Sequence, residues 1–119
     1  FEEFQARLGV TRPILANRLR KLVDDFVLVK VAYQERPRRY EYRLTQKGLD
    51  LYPIVMAIVH WGDVHMAGKK GRPVLHRHMT CGKTFDPVMI CSECGEPLEP
   101  RQVHAHRGPG AASPRAGAR

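Results

Sequence analysis

The chain has 119 residues, 43% of them hydrophobic, and a formal net charge of +8. This length suffices for one small domain with an appendage and excludes two full-sized domains. The positive charge favours a polyanionic partner, with nucleic acid first and an acidic membrane surface second. The charge by itself also fits a basic protein with no such partner.

The composition argues against a secreted or membrane protein. No apolar stretch is long enough to cross a bilayer, and no signal-like segment opens the chain. Three cysteines cannot close a full set of disulfides, so we expect a reducing cytoplasm. Because the sequence begins inside an amphipathic pattern and without Met, we expect an N-terminal segment to precede it.

The first residues predict a helix-turn-helix. Phe1, Phe4 and Leu8 share one helix face, and Gly9 is expected to end this helix. Thr11 is expected to cap a second helix, which has a proline in its first turn. A helix, a short turn that contains glycine and a second helix are the parts of this motif.

The second helix combines an apolar stripe with a polar, cationic face. We expect Asn17 to pair with adenine and Arg20 with guanine or a phosphate, because one α-helix fits the major groove of B-DNA. A solvated face with chance cations is the plain alternative. The stripe comprises Leu15, Leu19, Leu22, Val23 and Phe26. The predicted DNA contacts of this helix are Thr11, Arg12, Pro13, Asn17, Arg18, Arg20 and Lys21.

Two strand-like segments follow, as in a winged helix. Residues 27–33 are apolar and β-branched, and residues 40–45 alternate apolar and polar side chains. Residues 34–39 are expected to form a cationic loop that enters the minor groove or contacts phosphates. Tyr40 and Tyr42 fit base stacking, but their alternation favours a structural role. The predicted DNA contacts of the loop are Arg36, Arg38 and Arg39.

A long apolar helix is predicted after the hairpin. Thr45 is expected to cap it, Gly48 to weaken its first turns, and Pro53 to permit a bend or restart. Its apolar residues exceed what one small domain can bury, which predicts a two-fold homodimer. The candidate dimer face comprises Ile54, Ile58 and Trp61, or Val55, Val59 and Gly62.

The run "RYEYRLTQKGLDLYPIVMAIVHWG" after "RLRKLVDD" strongly resembles the HxlR-type winged-helix transcriptional regulators of bacteria. The resemblance covers residues 1 to about 66, and its most specific part is "YRLTQKG" followed by "WG". It implies a DNA-binding homodimer that senses small molecules or oxidants, with an additional N-terminal helix at the dimer interface. Where the family usually has Gly after the acidic pair, this chain has Phe26.

Two similar Cys/His pairs lie near the C-terminus. His78-x-x-Cys81-Gly and Cys91-x-x-Cys94-Gly each place a glycine after the second potential ligand, where the backbone has to turn. Three thiolates and one imidazole are a common structural zinc set, so we predict a zinc-ribbon-like site with these four ligands. His76 or a water molecule is an alternative fourth ligand. A redox-active Cys91–Cys94 pair and inert cysteines are the other interpretations.

The whole sequence predicts an α+β fold: a winged helix-turn-helix with a long dimerisation helix and a small zinc-ribbon-like tail. The predicted segments are the DNA-binding domain (1–45), the dimerisation helix (46–66), a linker (67–73), the Cys/His segment (74–99) and a basic disordered tail (100–119).

The expected function is sequence-specific binding of double-stranded DNA by a homodimeric regulator. Its operator is expected to be near-palindromic, and its effector a small molecule or an oxidant. We do not expect an enzyme, because no nucleophile lies near a plausible base and no phosphate-binding loop is present. The alternatives are a zinc-ribbon adaptor that binds a protein partner, and a redox-sensing regulator that uses the tail cysteines.

Overall fold

The computed structural model describes residues 1–113 and has the order of elements expected for a winged helix-turn-helix. The chain divides into two compact units, Phe1–Pro87 and a second that begins at Val88. Residues 114–119, the end of the predicted disordered tail, lie outside the described residues. The elements are α1 (Glu2–Leu8), α2 (Arg12–Asp24), β1 (Leu28–Glu35), β2 (Arg38–Leu44), α3 (Gln46–Leu49), α4 (Tyr52–His65) and a 3-10 turn (Pro100–Gln102).

The turn between α1 and α2 confirms the predicted helix boundaries. Gly9 ends α1 in a left-handed conformation (φ 63°), and its N–H donates to the carbonyl of Gln5 at 3.0 Å. A glycine suits this position because it has no Cβ to oppose a positive φ. Thr11 is the extended N-cap residue of α2, and Pro13 lies in the first turn.

The core of the helix-turn-helix is small. The predicted apolar stripe of α2 does not extend to Phe26. Leu15 and Leu19 of α2 are 3% and 5% exposed. Phe26 is 73% exposed, because α2 ends at Asp24 and Phe26 itself adopts a left-handed backbone (φ 60°) beyond the helix. A residue past the last turn no longer follows the helical period, so its ring leaves the apolar stripe.

The wing is a two-stranded antiparallel hairpin with a tighter connection than predicted. The register runs from Leu28 opposite Leu44 to Glu35 opposite Arg38, with an irregularity at Tyr33. Only two residues, 36 and 37, connect the strands, so the predicted loop over residues 34–39 is wrong. The flanking residues continue the ladder, because pairing satisfies their backbone groups better than a long loop would.

Gly48 has a packing role that its place in the sequence does not indicate. It is buried, and a Cβ at this position would lie 2.3 Å from the carbonyl oxygen of Val27. The Thr45 hydroxyl accepts a hydrogen bond from the Gly48 N–H at 3.1 Å, which confirms the predicted cap. The glycine therefore permits close approach of α3 to the start of β1.

Helix α4 restarts at Tyr52 with Pro53 in its first turn, as predicted. Met56 is 5% exposed, whereas Ile58 and Trp61 are 66% and 58% exposed. One side of α4 therefore packs inward and the other presents large apolar groups. No helix among residues 1–113 is long and apolar enough to cross a membrane.

Candidate nucleic-acid interface

Asn17 and Arg20 form a joint polar surface on α2. The Arg20 guanidinium donates to the Asn17 amide oxygen at 3.3 Å, and both side chains are exposed. Leu15 and Leu19 face the core from the same helix. The buried stripe thus fixes which side of α2 is presented outward, and that side carries the two groups best suited to read base edges.

The N-terminus of α2 is suited to an anion. Its first turn contains no acidic residue, and Thr11 makes no side-chain capping hydrogen bond. The unpaired N–H groups and the positive end of the helix dipole favour a phosphate oxygen at such a terminus. Pro13 contributes no N–H, so an anion would depend on its neighbours in this turn.

Arg12 is anchored to α1. Its guanidinium lies 3.3 Å from the Glu2 carboxylate and 4.8 Å from the centroid of the Phe1 ring. The group is exposed, so a DNA phosphate has access to it and would compete with Glu2 for its donors. Helical periodicity carries no information about contacts between helices, so these two partners could not be predicted from it.

Arg18 and Lys21 flank the Asn17–Arg20 surface, and both are exposed. The Lys21 ammonium lies 3.4 Å from the Asp25 carboxylate, one turn along the helix. An exposed i,i+4 pair of this kind is weak, so Lys21 can exchange Asp25 for a phosphate at little cost. The assignment of Arg18 and Lys21 as contacts to the DNA backbone stays a prediction.

The wing arginines lie at the end of the hairpin but do not share one face. Arg36 is in the connection, whereas Arg38 and Arg39 are the first residues of β2. Successive strand residues project to opposite sides of a hairpin, so Arg38 and Arg39 diverge. Arg38 lies 3.6 Å from the exposed carboxylate of Glu35.

Two of the tyrosines make the structural contacts that their alternation predicts. The Tyr42 ring meets Phe4 of α1 edge-on, with ring centroids 6.3 Å apart. The Lys30 ammonium lies 4.7 Å from the centroid of the Tyr40 ring, across the hairpin. The Tyr42–Phe4 contact packs the wing against α1, and the Lys30–Tyr40 contact lies within the hairpin.

A small ionic cluster, not predicted from the sequence, ties the segment after α4 back to that helix. The Arg72 guanidinium bonds to the Asp86 carboxylate, and this hydrogen bond holds the pKa of Asp86 below its usual range. His60 Nδ1 lies 3.8 Å from the same carboxylate and has no hydrogen-bond partner among residues 1–113. These residues are far apart in sequence, so no local pattern indicates the cluster.

The first of two tight turns, which we call the first knuckle (residues 76–85), holds His78 and Cys81. The Gly82 N–H donates to the His78 carbonyl at 2.7 Å, and the His78 N–H donates to the Lys83 carbonyl at 2.9 Å. Gly82 has a φ of 71°, a conformation that glycine adopts without strain. The turn places Cys81 Sγ 3.6 Å from His78 Nδ1.

The second knuckle (residues 89–98) repeats this arrangement around Cys91. The Gly95 N–H donates to the Cys91 carbonyl at 2.9 Å, and the Cys91 N–H donates to the Glu96 carbonyl at 2.8 Å. Backbone hydrogen bonds from Cys94 and Glu93 lower the pKa of the Cys91 thiol, the Glu93 N–H lying 3.4 Å from Cys91 Sγ.

The four predicted zinc ligands are distributed over the two compact units. His78 and Cys81 belong to the first unit, and Cys91 and Cys94 belong to the second. Within residues 1–113, no three His, Cys, Asp or Glu side chains are grouped as the ligands of a metal ion. The structure therefore places Cys81 beside His78 and leaves the zinc site a prediction.

Comparison with known proteins identifies the first part of the chain. The family model described as HxlR-like helix-turn-helix matches residues 1–70. The chain belongs to this family. This membership confirms the resemblance and makes the protein an HTH-type transcriptional regulator, not an enzyme.

Relatives described as HTH-type transcriptional regulators match this chain beyond the DNA-binding motif. An uncharacterized HTH-type transcriptional regulator of Mycobacterium bovis is 41% identical over 110 residues, which are 92% of this chain and 70% of the relative. The same identity and coverage apply to a regulator of Mycobacterium tuberculosis. A match of this length includes the Cys/His segment, which the family model does not cover.

Solved structures support the same fold. PA1607, a candidate transcription factor, has a TM-score of 0.78 and 33% identity, over 90% of this chain and 75% of its own. PA1374 of Pseudomonas aeruginosa, also a candidate transcription factor, has a TM-score of 0.66 and 30% identity, over 93% of this chain and 75% of its own.

Proposed function

We propose that this HxlR-like protein binds double-stranded DNA sequence-specifically as a homodimeric transcriptional regulator. The observation that carries the proposal is the Asn17–Arg20 pair, exposed on the side of α2 opposite Leu15 and Leu19. Bound in the major groove, Arg20 offers paired donors to guanine, and Asn17 offers a donor and an acceptor to adenine. The hairpin then contacts the flanking backbone or the minor groove through its arginines.

The phosphate contacts follow from the same orientation. The N-terminus of α2, with Thr11 and Arg12, approaches one phosphate, while Arg18 and Lys21 lie on the flanks of the reading surface. Arg36, at the hairpin connection, contacts the next segment of the DNA backbone. These groups position the protein and carry no sequence information themselves.

The dimer is supported by the outer side of α4. Ile54, Ile58 and Trp61 recur at helical spacing and are 56%, 66% and 58% exposed. Contiguous apolar surface of this kind marks an interaction site. Self-association through a two-fold axis would cover it and give a near-palindromic operator, with half-sites about 34–36 Å apart. Regulation by a small molecule or an oxidant belongs to the same proposal, with no residue assigned to it.

Salt dependence distinguishes DNA binding from the alternative, an adaptor that uses the tail to bind a protein. A protein that neutralises several phosphates releases counterions, so its DNA affinity falls steeply as salt rises. We expect a linear decrease of log affinity with log salt for a duplex. A protein with no measurable duplex affinity at low salt would favour the adaptor.

The wing provides a matched variant for the same titration. Replacing Arg36, Arg38 and Arg39 together with Ala should flatten the slope, by about one for each phosphate that the wing no longer neutralises. A control variant, Arg43→Ala, removes an arginine of β2 that is paired with Glu41 and should keep the slope. An unchanged slope in the triple variant would remove the wing from the interface.

A further inference from the structure

The second knuckle brings two thiols together within one compact unit. Cys91 and Cys94 both belong to the unit that begins at Val88. The Gly95 N–H donates to the Cys91 carbonyl at 2.9 Å and closes the turn that contains Cys94. A tight turn brings two Cα atoms three residues apart to within about 7 Å, and a disulfide spans about 4.4–6.8 Å between Cα atoms. The turn therefore holds the two cysteines close to the separation that a disulfide requires.

The first knuckle lacks such a pair, although its turn is built in the same way. The Gly82 N–H donates to the His78 carbonyl at 2.7 Å, as in the second knuckle. His78 thus holds the position of Cys91, and Cys81 holds that of Cys94. The group beside the Cys81 sulfur is an imidazole nitrogen at 3.6 Å, which cannot form a disulfide. Of the three thiols of the chain, only Cys91 and Cys94 share a turn.

The surroundings of the pair favour reaction at Cys91. The Glu93 N–H points at Cys91 Sγ from 3.4 Å. A donor in this position stabilises the negative charge of a thiolate, which is the nucleophilic form of cysteine. Cys91 is partly exposed and Cys94 is exposed, and none of residues 88–113 is buried. A small oxidant in solution therefore has access to both sulfurs.

We propose that Cys91 and Cys94 form a dithiol that hydroperoxides oxidise to a disulfide within the second knuckle. A disulfide inside one unit needs no residue from outside that unit, unlike a site that combines both knuckles. Both cysteines lie outside the helix-turn-helix and the wing. The proposal is therefore independent of DNA binding.

The oxidation takes place in two steps. The Cys91 thiolate attacks one oxygen of hydrogen peroxide, the O–O bond breaks, and the leaving hydroxide takes up a proton to give water. This step leaves a sulfenic acid on Cys91. The Cys94 thiolate then attacks the Cys91 sulfur, forms the S–S bond and displaces a second hydroxide, which is also protonated to water. The two thiols thus supply two electrons and two protons, and the peroxide is reduced to two water molecules.

Three variants assign the two steps to the two sulfurs. Cys94→Ser should accumulate a sulfenic acid at Cys91, trapped by a 1,3-dicarbonyl reagent, because the second thiol is missing. Cys91→Ser should form no disulfide within the chain. Cys81→Ser, the matched control from the first knuckle, should form the Cys91–Cys94 disulfide as the native protein does. Sulfenic acid at Cys94 in Cys91→Ser, with none at Cys91 in Cys94→Ser, would overturn the assignment of Cys91 as the attacking thiol.

Peptide mapping by mass spectrometry of the native full chain, purified without a histidine tag under reducing conditions, tests the proposal without a variant. After removal of the reductant, we expect hydrogen peroxide to consume two of the three thiols and to link Cys91 to Cys94. A dithiol reductant should restore both thiols. Retention of all three free thiols would overturn the proposal, and so would a disulfide that includes Cys81. One zinc ion per chain by elemental analysis, with Cys91 and Cys94 resistant to peroxide, would overturn it in favour of the zinc site.

Discussion

The carbonyl oxygen of Val27 occupies the space in which a Cβ on residue 48 would stand, 2.3 Å from its ideal position. Gly48→Ala therefore requires α3 to move away from the start of β1. We expect this substitution to lower the free energy of unfolding by about 1–3 kcal/mol. Urea titration followed by fluorescence of the single tryptophan, Trp61, measures the change.

The control for Gly48→Ala is Gly68→Ala, at which a Cβ meets nothing within 4 Å. This control should change the free energy of unfolding by less than about 0.5 kcal/mol. Equal effects of the two substitutions would contradict the close approach of α3 to Val27.

The left-handed backbone of Phe26 predicts an unusual pair of effects. Phe26→Ala and Phe26→Gly remove the same exposed ring and differ only in the Cβ, which opposes a φ of 60°. We expect the glycine variant to be more stable than the alanine variant by about 1 kcal/mol. The same urea titration measures both, and a more stable alanine variant would refute the left-handed conformation.

Arg20 should contribute to DNA recognition and not to folding. Arg20→Ala removes little packing, because the side chain is exposed and its partner is Asn17. We expect specific binding to weaken by about 1–3 kcal/mol if the contact to guanine is bidentate, measured by fluorescence anisotropy. Arg7→Ala, in the Arg7–Glu3 pair of α1, is the control. Equal weakening on specific and random duplexes would make Arg20 a phosphate contact instead.

The outer side of α4 should hold the dimer together. Ile58→Glu places a charge on the proposed dimer face and should convert the protein to a monomer at micromolar concentration, because an unpaired charge in an apolar interface is costly. Val29→Glu, a similar change at an exposed position of β1, should leave the dimer intact. Analytical ultracentrifugation measures both. A native protein that sediments as a monomer would rule out the dimer.

The pKa of Asp86 predicts how the ionic cluster responds to acid. The hydrogen bond from Arg72 lowers this pKa, so the stabilisation is present above the ordinary pKa of an aspartate and disappears as the pH falls through the lowered value. An NMR titration of the Asp86 carboxyl should therefore give a pKa below the ordinary value of an aspartate. The pKa of Asp86 should rise in Arg72→Gln and not in the control Arg77→Gln. An equal rise of the Asp86 pKa in the two variants would show that Arg72 is not the group that lowers it.

Much of the fold could be predicted because the residues that begin and end its helices act locally. Gly9, Thr45 and Pro53 each act through their own backbone chemistry, and the structure has the expected helix end, cap and restart at these residues. The strands were also predictable in kind. Their ends were not, because residues 34–39 have the composition of a loop while cross-strand pairing extends the ladder.

The candidate site also has features that the sequence predicts and contacts that it does not. The exposure of Asn17 and Arg20 follows from the helical period, which also places Leu15 and Leu19 in the core. The contacts of Arg12 with α1 and the Arg72–Asp86 pair join residues remote in sequence, so they depend on packing and no local pattern indicates them. Phe26 has a positive φ, although bulky residues prefer a negative φ. Residue propensity therefore predicts the wrong backbone conformation at this position.

Selection of bound duplexes from a random pool by the full-length protein tests sequence-specific recognition most directly. We expect enrichment of a near-palindrome whose half-sites lie about one helical turn apart, and loss of preference at one base pair of each half-site in Arg20→Ala. Recovery of duplexes with no shared sequence from the native protein, under salt conditions in which it still binds DNA, would contradict the proposed function.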